Sequence, residues 1–139
     1  MLRVVLDVGV IVSGALTAGG PPGRILDRWR GGELDIVVSP SLLAGLDRVL
    51  AYERIRRRVA REDAQELVAE LHHHAVVVED PVEIEAGVTR DPGDDYLVAL
   101  ARSAGADVLV SGDAHVTEVP GLEPPVLTPR ELIEILERG

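Results

Sequence analysis

The hydrophobic pattern alternates between short, wholly apolar runs and longer amphipathic stretches. "RVVLD" (3–7), "LDIVVS" (34–39), "AVVVE" (75–79), "DVLVSGD" (107–113) and "PPVLTP" (124–129) are short and rich in β-branched residues, which predicts five strands. Their apolar residues run on without a polar alternate, as expected of a parallel sheet covered on both faces. Between them the period lengthens. A helix is expected over about 23–31, closed by Gly31-Gly32. "SPSLLAGLDRVLAYERIRRRV" (39–59) opens with a cap and a proline and reads as one helix. Residues 61–74 carry Ala64, Leu67, Val68 and Leu71 at 3–4 spacing. "YLVALARSAGA" (96–106) reads as a helix ended by Gly105, and "TPRELIEILER" (128–138) as a capped final helix. "TAGGPPG" (17–23) and "RDPGDD" (90–95) are a loop and a turn. Alternating strands and helices predict an α/β protein: a three-layer α/β/α sandwich with a central, mostly parallel sheet, in one domain over 1–139.

Composition sharpens this picture. The chain has 139 residues, 46% of them hydrophobic, with no Phe, one Trp and two Tyr, so its core is aliphatic. The absence of cysteine excludes disulfides and Cys-ligated zinc and fits a cytoplasmic location. Every basic residue is Arg, and Lys and Asn are absent, as a GC-rich genome would produce. A formal net charge of −10 makes the chain a poor generic nucleic-acid binder, so RNA would need local Arg and bridging cations. The opening "MLRVVLDVGVIVSGALTAGG" has the outline of a signal peptide, but Asp7 interrupts its apolar part and argues against export. No apolar run approaches the ~20 residues of a membrane span.

The candidate chemistry is acidic. Ligands of open parallel sheets gather at the carboxyl ends of strands. Two predicted strands end there in Asp7 and Asp113, and Asp91, Asp94 and Asp95 open the helix that feeds the second of them. Crowded carboxylates repel unless a cation neutralises them. Oxygen ligands without cysteine suit Mg²⁺ or Mn²⁺, and such a site can drive phosphodiester hydrolysis. Taken singly, Asp94 or Asp95 can be a helix cap and Asp113 a turn residue. Asp7, a charge beside a buried strand, is hardest to explain structurally.

At these residues the chain resembles PIN-domain proteins, in particular the VapC-type toxins of toxin–antitoxin systems. The similarity runs through "VVLDVGVIVSGAL", "GGPPGRILD", "VVSPSLLAGLDRVL", "RDPGDDYLVALARSAGADVLVSGD" and "VLTPREL". It implies a metal-dependent endoribonuclease using Mg²⁺ or Mn²⁺, acting as the toxin of a toxin–antitoxin pair. It implies as partners RNA, an antitoxin protein directing an Arg at the acidic rim, and a second copy in a homodimer. The family's first acid falls on Asp7 and its last on Asp113. The acid opening the late helix falls on Asp95, with Asp94 the close alternative. Two positions depart from the family. It usually reads Asp-Thr-Asn where this chain has Asp7-Val8-Gly9, and "LLAEL" where this chain has "LLAGL", with Gly45 in place of Glu. Asp47 is no substitute, because two helical residues subtend about 200°. The departures imply attenuated activity. The alternative is a catalytically degenerate PIN domain that binds RNA or a protein without cleaving.

Other features carry competing readings. Arg54, Arg58 and Arg61 have the i, i+4, i+7 spacing of a helical stripe, either an RNA-backbone contact or a solvated face. His72–His74 are consecutive and diverge on a helix, so they do not converge on one ion. Ser111 and Ser13 stand where they can hydrogen-bond the site, and His115 where it can meet a phosphate. A receiver domain is excluded by the missing Lys, and a dinucleotide-binding fold by the missing GxGxxG.

Overall fold

The computed structural model describes residues 1–138. In chain order the elements are β1 (Arg3–Leu6), α1 (Val8–Leu16), α2 (Pro21–Arg30), β2 (Asp35–Val38), α3 (Pro40–Leu50), α4 (Glu53–Arg56), α5 (Arg61–His74), β3 (Val76–Val77), α6 (Pro92–Ser103), β4 (Val108–Val110), α7 (Ala114–Thr117), β5 (Val126–Leu127) and α8 (Pro129–Arg138). All five expected strands are present and pair in parallel, in the order β3-β2-β1-β4-β5. β1 is central: Val4 pairs with Ile36 on one side and Val108 on the other. Val4, Val5 and Leu6 and their neighbours Ile36, Val37 and Val38 have no exposed surface, which explains their unbroken apolar sequence. Helix α1 packs on α2 and α3, α3 on α5, and α2 on α8, while α6 lies against β1 and β4. The architecture is the expected α/β/α sandwich.

Local chemistry sets the boundaries. Ser39 caps α3, accepting a hydrogen bond from Leu42 N, and Pro40 fills its first turn. Thr128 and Glu131 form a reciprocal capping box on α8. Gly105 ends the α6 segment at φ +63°, where a Cβ is unfavourable.

One expected helix is cut short, and two helices appear where none was expected. Residues 8–16 form helix α1, although "VGVIVSGAL" has β-branched residues and two glycines. The Asp7 carboxylate caps that helix by accepting from Val10 N. The expected helix over 39–59 stops at Leu50, and the chain restarts at Tyr52 as the single turn α4. Arg54, Arg58 and Arg61 therefore lie in α4, in the turn after it and at the start of α5, not on one helical face. A short α7 follows Asp113, which caps it.

Candidate active site at the carboxyl rim

The strand order reverses direction between β1 and β4, and this switch point is where open α/β sheets hold ligands. The residues after those strands supply the site. Asp7 follows β1 and is half-buried. Val10 N donates to its Oδ1 at 2.7 Å and the Ser111 hydroxyl to its Oδ2 at 2.6 Å. Ser111 is fully buried, and its Oγ also accepts from Asp113 N at 3.0 Å. One serine thus ties the two strand ends together. Burial pushes the Asp7 carboxyl up, with nearby Asp113 adding to it, against the lowering effect of the Ser111 and Val10 donors.

Helix α6 brings the third carboxylate. Asp94 leads the series Leu97, Val98, Ala101, whose buried face lies over the sheet. Asp94 shares a cavity of about 600 Å³ with Asp7, Asp91, Gly9, Gly45 and Arg48. Its Oδ2 is buried and has no hydrogen-bond partner. Burial raises its pKa to about 6, with Asp91, Asp113, Asp7 and Asp95 all pushing the same way. A second cavity of about 440 Å³ holds Asp7 again, now with Asp113, Ser13 and Gly112. Asp7 and Gly9 line both, and Asp7 is the acid common to the two.

Asp95 is placed differently. It is 5% exposed, and its oxygens accept from Gly87 N at 3.0 Å and Thr89 N at 2.6 Å, with the Thr89 hydroxyl at 2.8 Å. The Thr89 and Gly87 donors hold its carboxyl below the usual range. It anchors the loop before α6 and does not line the cavity of Asp7 and Asp94. Asp91, which caps α6 through Gly93 N, does line it.

Sequence reasoning missed a polar network beside this cavity. The Tyr96 hydroxyl donates to Asp80 Oδ1 at 2.5 Å and lies 2.6 Å from Ser39 Oγ, while the Ser41 hydroxyl donates to Asp80 Oδ2 at 2.9 Å. It ties α3, α6 and the loop after β3 together, and Ser41 and Tyr96 line the cavity. Only Tyr96, a lone polar aromatic in the run "DDYLVALA", signals it in the sequence. The other candidates are peripheral. Arg54 lies over the Tyr52 ring, and Arg58 donates to Leu16 O. Arg61 opens α5, and His72, His73 and His74 are exposed at its end. His115 donates its backbone N–H to Asp113 with its side chain exposed.

The donor set fits a hard divalent cation in kind. An orphaned buried carboxylate oxygen at Asp94, beside half-buried Asp7, is an uncompensated negative site. It fits in a limited number. Among the described residues no three His, Asp or Glu side chains group closely enough to hold one metal ion. Mg²⁺ needs only one or two carboxylates and keeps several waters.

A parallel sheet with acids at its switch point places the chain among open α/β sandwiches, and comparison with known proteins gives the family. The chain belongs to the PIN domain family, whose profile matches residues 3–115. It is 23% identical over 146 residues to the uncharacterized protein MJ1680 of Methanocaldococcus jannaschii, covering 99% of this chain and 93% of that one. Its fold is similar to PAE2754 of Pyrobaculum aerophilum (TM-score 0.68, 17% identity, 99% of this chain, 91% of that one). It is also similar to VapBC2 of Rickettsia felis, solved bound to a DNA fragment from their promoter (TM-score 0.61, 12% identity, 91% and 98%). FitAcB of Neisseria gonorrhoeae is a further likeness (TM-score 0.55, 16% identity, 91% and 98%). No helix among the described residues is long and apolar enough to cross a membrane.

Proposed function

We propose that the chain is a metal-dependent endoribonuclease of the PIN type, attenuated in activity, and the toxin of a toxin–antitoxin pair. The observation that carries the metal site is the buried, unpartnered Oδ2 of Asp94 in the cavity it shares with Asp7. Asp7 and Asp94 would hold Mg²⁺ or Mn²⁺, with Asp113 in the second cavity that Asp7 lines and Asp91 adding negative charge. Asp94 takes the role that the family resemblance gave first to Asp95, whose oxygens are already engaged. When bound, such an ion polarises a phosphoryl oxygen and activates water for phosphodiester hydrolysis. The protein's part is positioning. Ser111 and Val10 N fix the Asp7 carboxylate, and Ser111 fixes Asp113 relative to it. The Asp80–Tyr96–Ser39 network holds α3 and α6 at the cavity wall.

Attenuation follows from two glycines. A Cβ on Gly9 would lie 3.4 Å from Asp7 Oδ1, so this position gives that oxygen no side-chain neighbour. Gly45 contributes no carboxylate. These glycines, with the lack of a three-ligand cluster, favour the second reading, a PIN domain that binds RNA or a protein without cleaving. Calorimetric titration of Mn²⁺ decides between them. Saturable binding lost in both Asp7→Asn and Asp94→Asn, with Mn²⁺-dependent RNA cleavage, supports the nuclease. Absence of binding at millimolar metal removes it. The expected assembly is a cytoplasmic homodimer whose antitoxin places an Arg in the acidic cavity.

A further inference from the structure

The cavity that holds Asp7, Asp91 and Asp94 is lined by a single cation, Arg48. Arg48 lies one turn beyond Gly45 on α3, so both face the same side of the helix. A Cβ built on Gly45 would stand 3.8 Å from the Arg48 Nη2 and 3.8 Å from Val8 Cγ2. The guanidinium therefore reaches back over the bare glycine, into space that a side chain at 45 would fill. The Arg48 side chain makes no hydrogen bond and no ion pair among the described residues, whereas Arg28, Arg30, Arg57 and Arg102 each pair with a carboxylate. An exposed guanidinium with five free donors and a separate acidic lobe thus share one open cavity.

We propose that Arg48 anchors a backbone phosphate of single-stranded RNA flanking the scissile one, and that Gly45 keeps the path to it open. The proposal rests on the nuclease reading for its substrate class. A phosphodiester strand is the ligand that satisfies both lobes: one phosphate takes the bidentate guanidinium fork, and the next comes to the acidic lobe. The competing structural role for Arg48 is a cation at the helix C-terminus, which affects stability and leaves substrate affinity alone.

The test compares wild type, Arg48→Ala, Arg48→Lys and Gly45→Glu, with Arg138→Ala as an equal loss of charge outside the cavity. Binding of a fluorescein-labelled single-stranded oligouridylate is followed by anisotropy in Ca²⁺ across a salt series. Arg48→Ala is expected to weaken binding about tenfold. Its log K against log salt should be shallower by about 0.7, the loss of one phosphate contact on a single strand. Arg48→Lys should restore part of the affinity, Gly45→Glu should lower it by pairing with the guanidinium, and Arg138→Ala should match wild type. Where cleavage is measured, the Arg48→Ala effect should fall on KM and leave kcat within about twofold, as for removal of uniform binding. Equal affinity and salt slope in Arg48→Ala and wild type would overturn the proposal, as would equal losses in Arg48→Ala and Arg138→Ala or a wild type that does not bind. The nuclease reading stands or falls separately, on Mn²⁺-dependent cleavage abolished by Asp94→Asn.

Discussion

At the scale of single residues, adjacent aspartates are assigned opposite tasks. Asp94 and Asp95 are neighbours in sequence, yet about 100° of helical rotation points one into the acidic cavity and the other onto a loop. Their pKa shifts have opposite signs and give opposite pH dependences. Asp94 is raised to about 6 from 3.8, so the folded chain holds that proton more tightly than the unfolded one. Stability from this group is full below the lower value and is lost as pH rises through the upper one. Asp94→Asn should therefore stabilise the metal-free protein by about 1 kcal/mol at pH ~8, a figure discounted for partial exposure, and leave it unchanged near pH ~4. Urea denaturation at the two pH values checks this. Asp95 is lowered, so its contribution is present above the ordinary aspartate range and fades as pH falls through its folded value. Asp95→Ala should lower the thermal midpoint at neutral pH and speed proteolysis of the 80–91 loop, because it strands the Gly87 and Thr89 donors. An equal midpoint would show that the loop is held by other contacts.

At the scale of elements, two helix glycines make a matched pair. A Cβ on Gly23 in α2 would come within 2.8 Å of Thr17 O, a backbone atom that cannot step aside. A Cβ on Gly45 meets nothing closer than 3.8 Å. Gly23→Ala should thus destabilise by about 1–3 kcal/mol through overpacking, although alanine favours the helix. Gly45→Ala should stabilise by about 1 kcal/mol, the ordinary helix gain. Denaturant midpoints of the two variants should move in opposite directions. The same elements show what the sequence discloses. The strands were legible because central parallel strands bury both faces and read as unbroken Val, Ile and Leu. Helix α1 was not, because its residues lack helical periodicity and its start depends on the Asp7 cap. The break at Ala51–Tyr52 carries neither Gly nor Pro, so nothing local marks it. The acidic rim was legible as three strand-end and helix-start positions. The choice between Asp94 and Asp95 needed the phase of α6, which the run Leu97, Val98, Ala101 does encode. Arg48 was not singled out, since a helix-end arginine resembles any solvated one until Gly45 is seen beneath it.

At the scale of the whole molecule, the acidic rim is a store of unfavourable charge that a bound cation would relieve. Mn²⁺ at a hundredfold excess over its Kd should stabilise the fold by about 2.7 kcal/mol, and Asp7→Asn and Asp94→Asn should abolish the effect. Thermal unfolding with and without EDTA measures it, and an unchanged midpoint in Mn²⁺ would argue for the non-cleaving reading. The position of β1 has a consequence for how the molecule comes into being. Its partner β2 follows closely along the chain, but its other edge waits for β4, and Ser111 meets Asp7 across 104 positions. During synthesis β1 and β2 can join while one side of β1 remains an unpaired, fully apolar edge. Until β4 is made, Asp7 has its helix cap and no fellow strand-end acid. The most adhesive edge of the sheet is therefore closed by the same strand that brings Ser111 and Asp113 to Asp7.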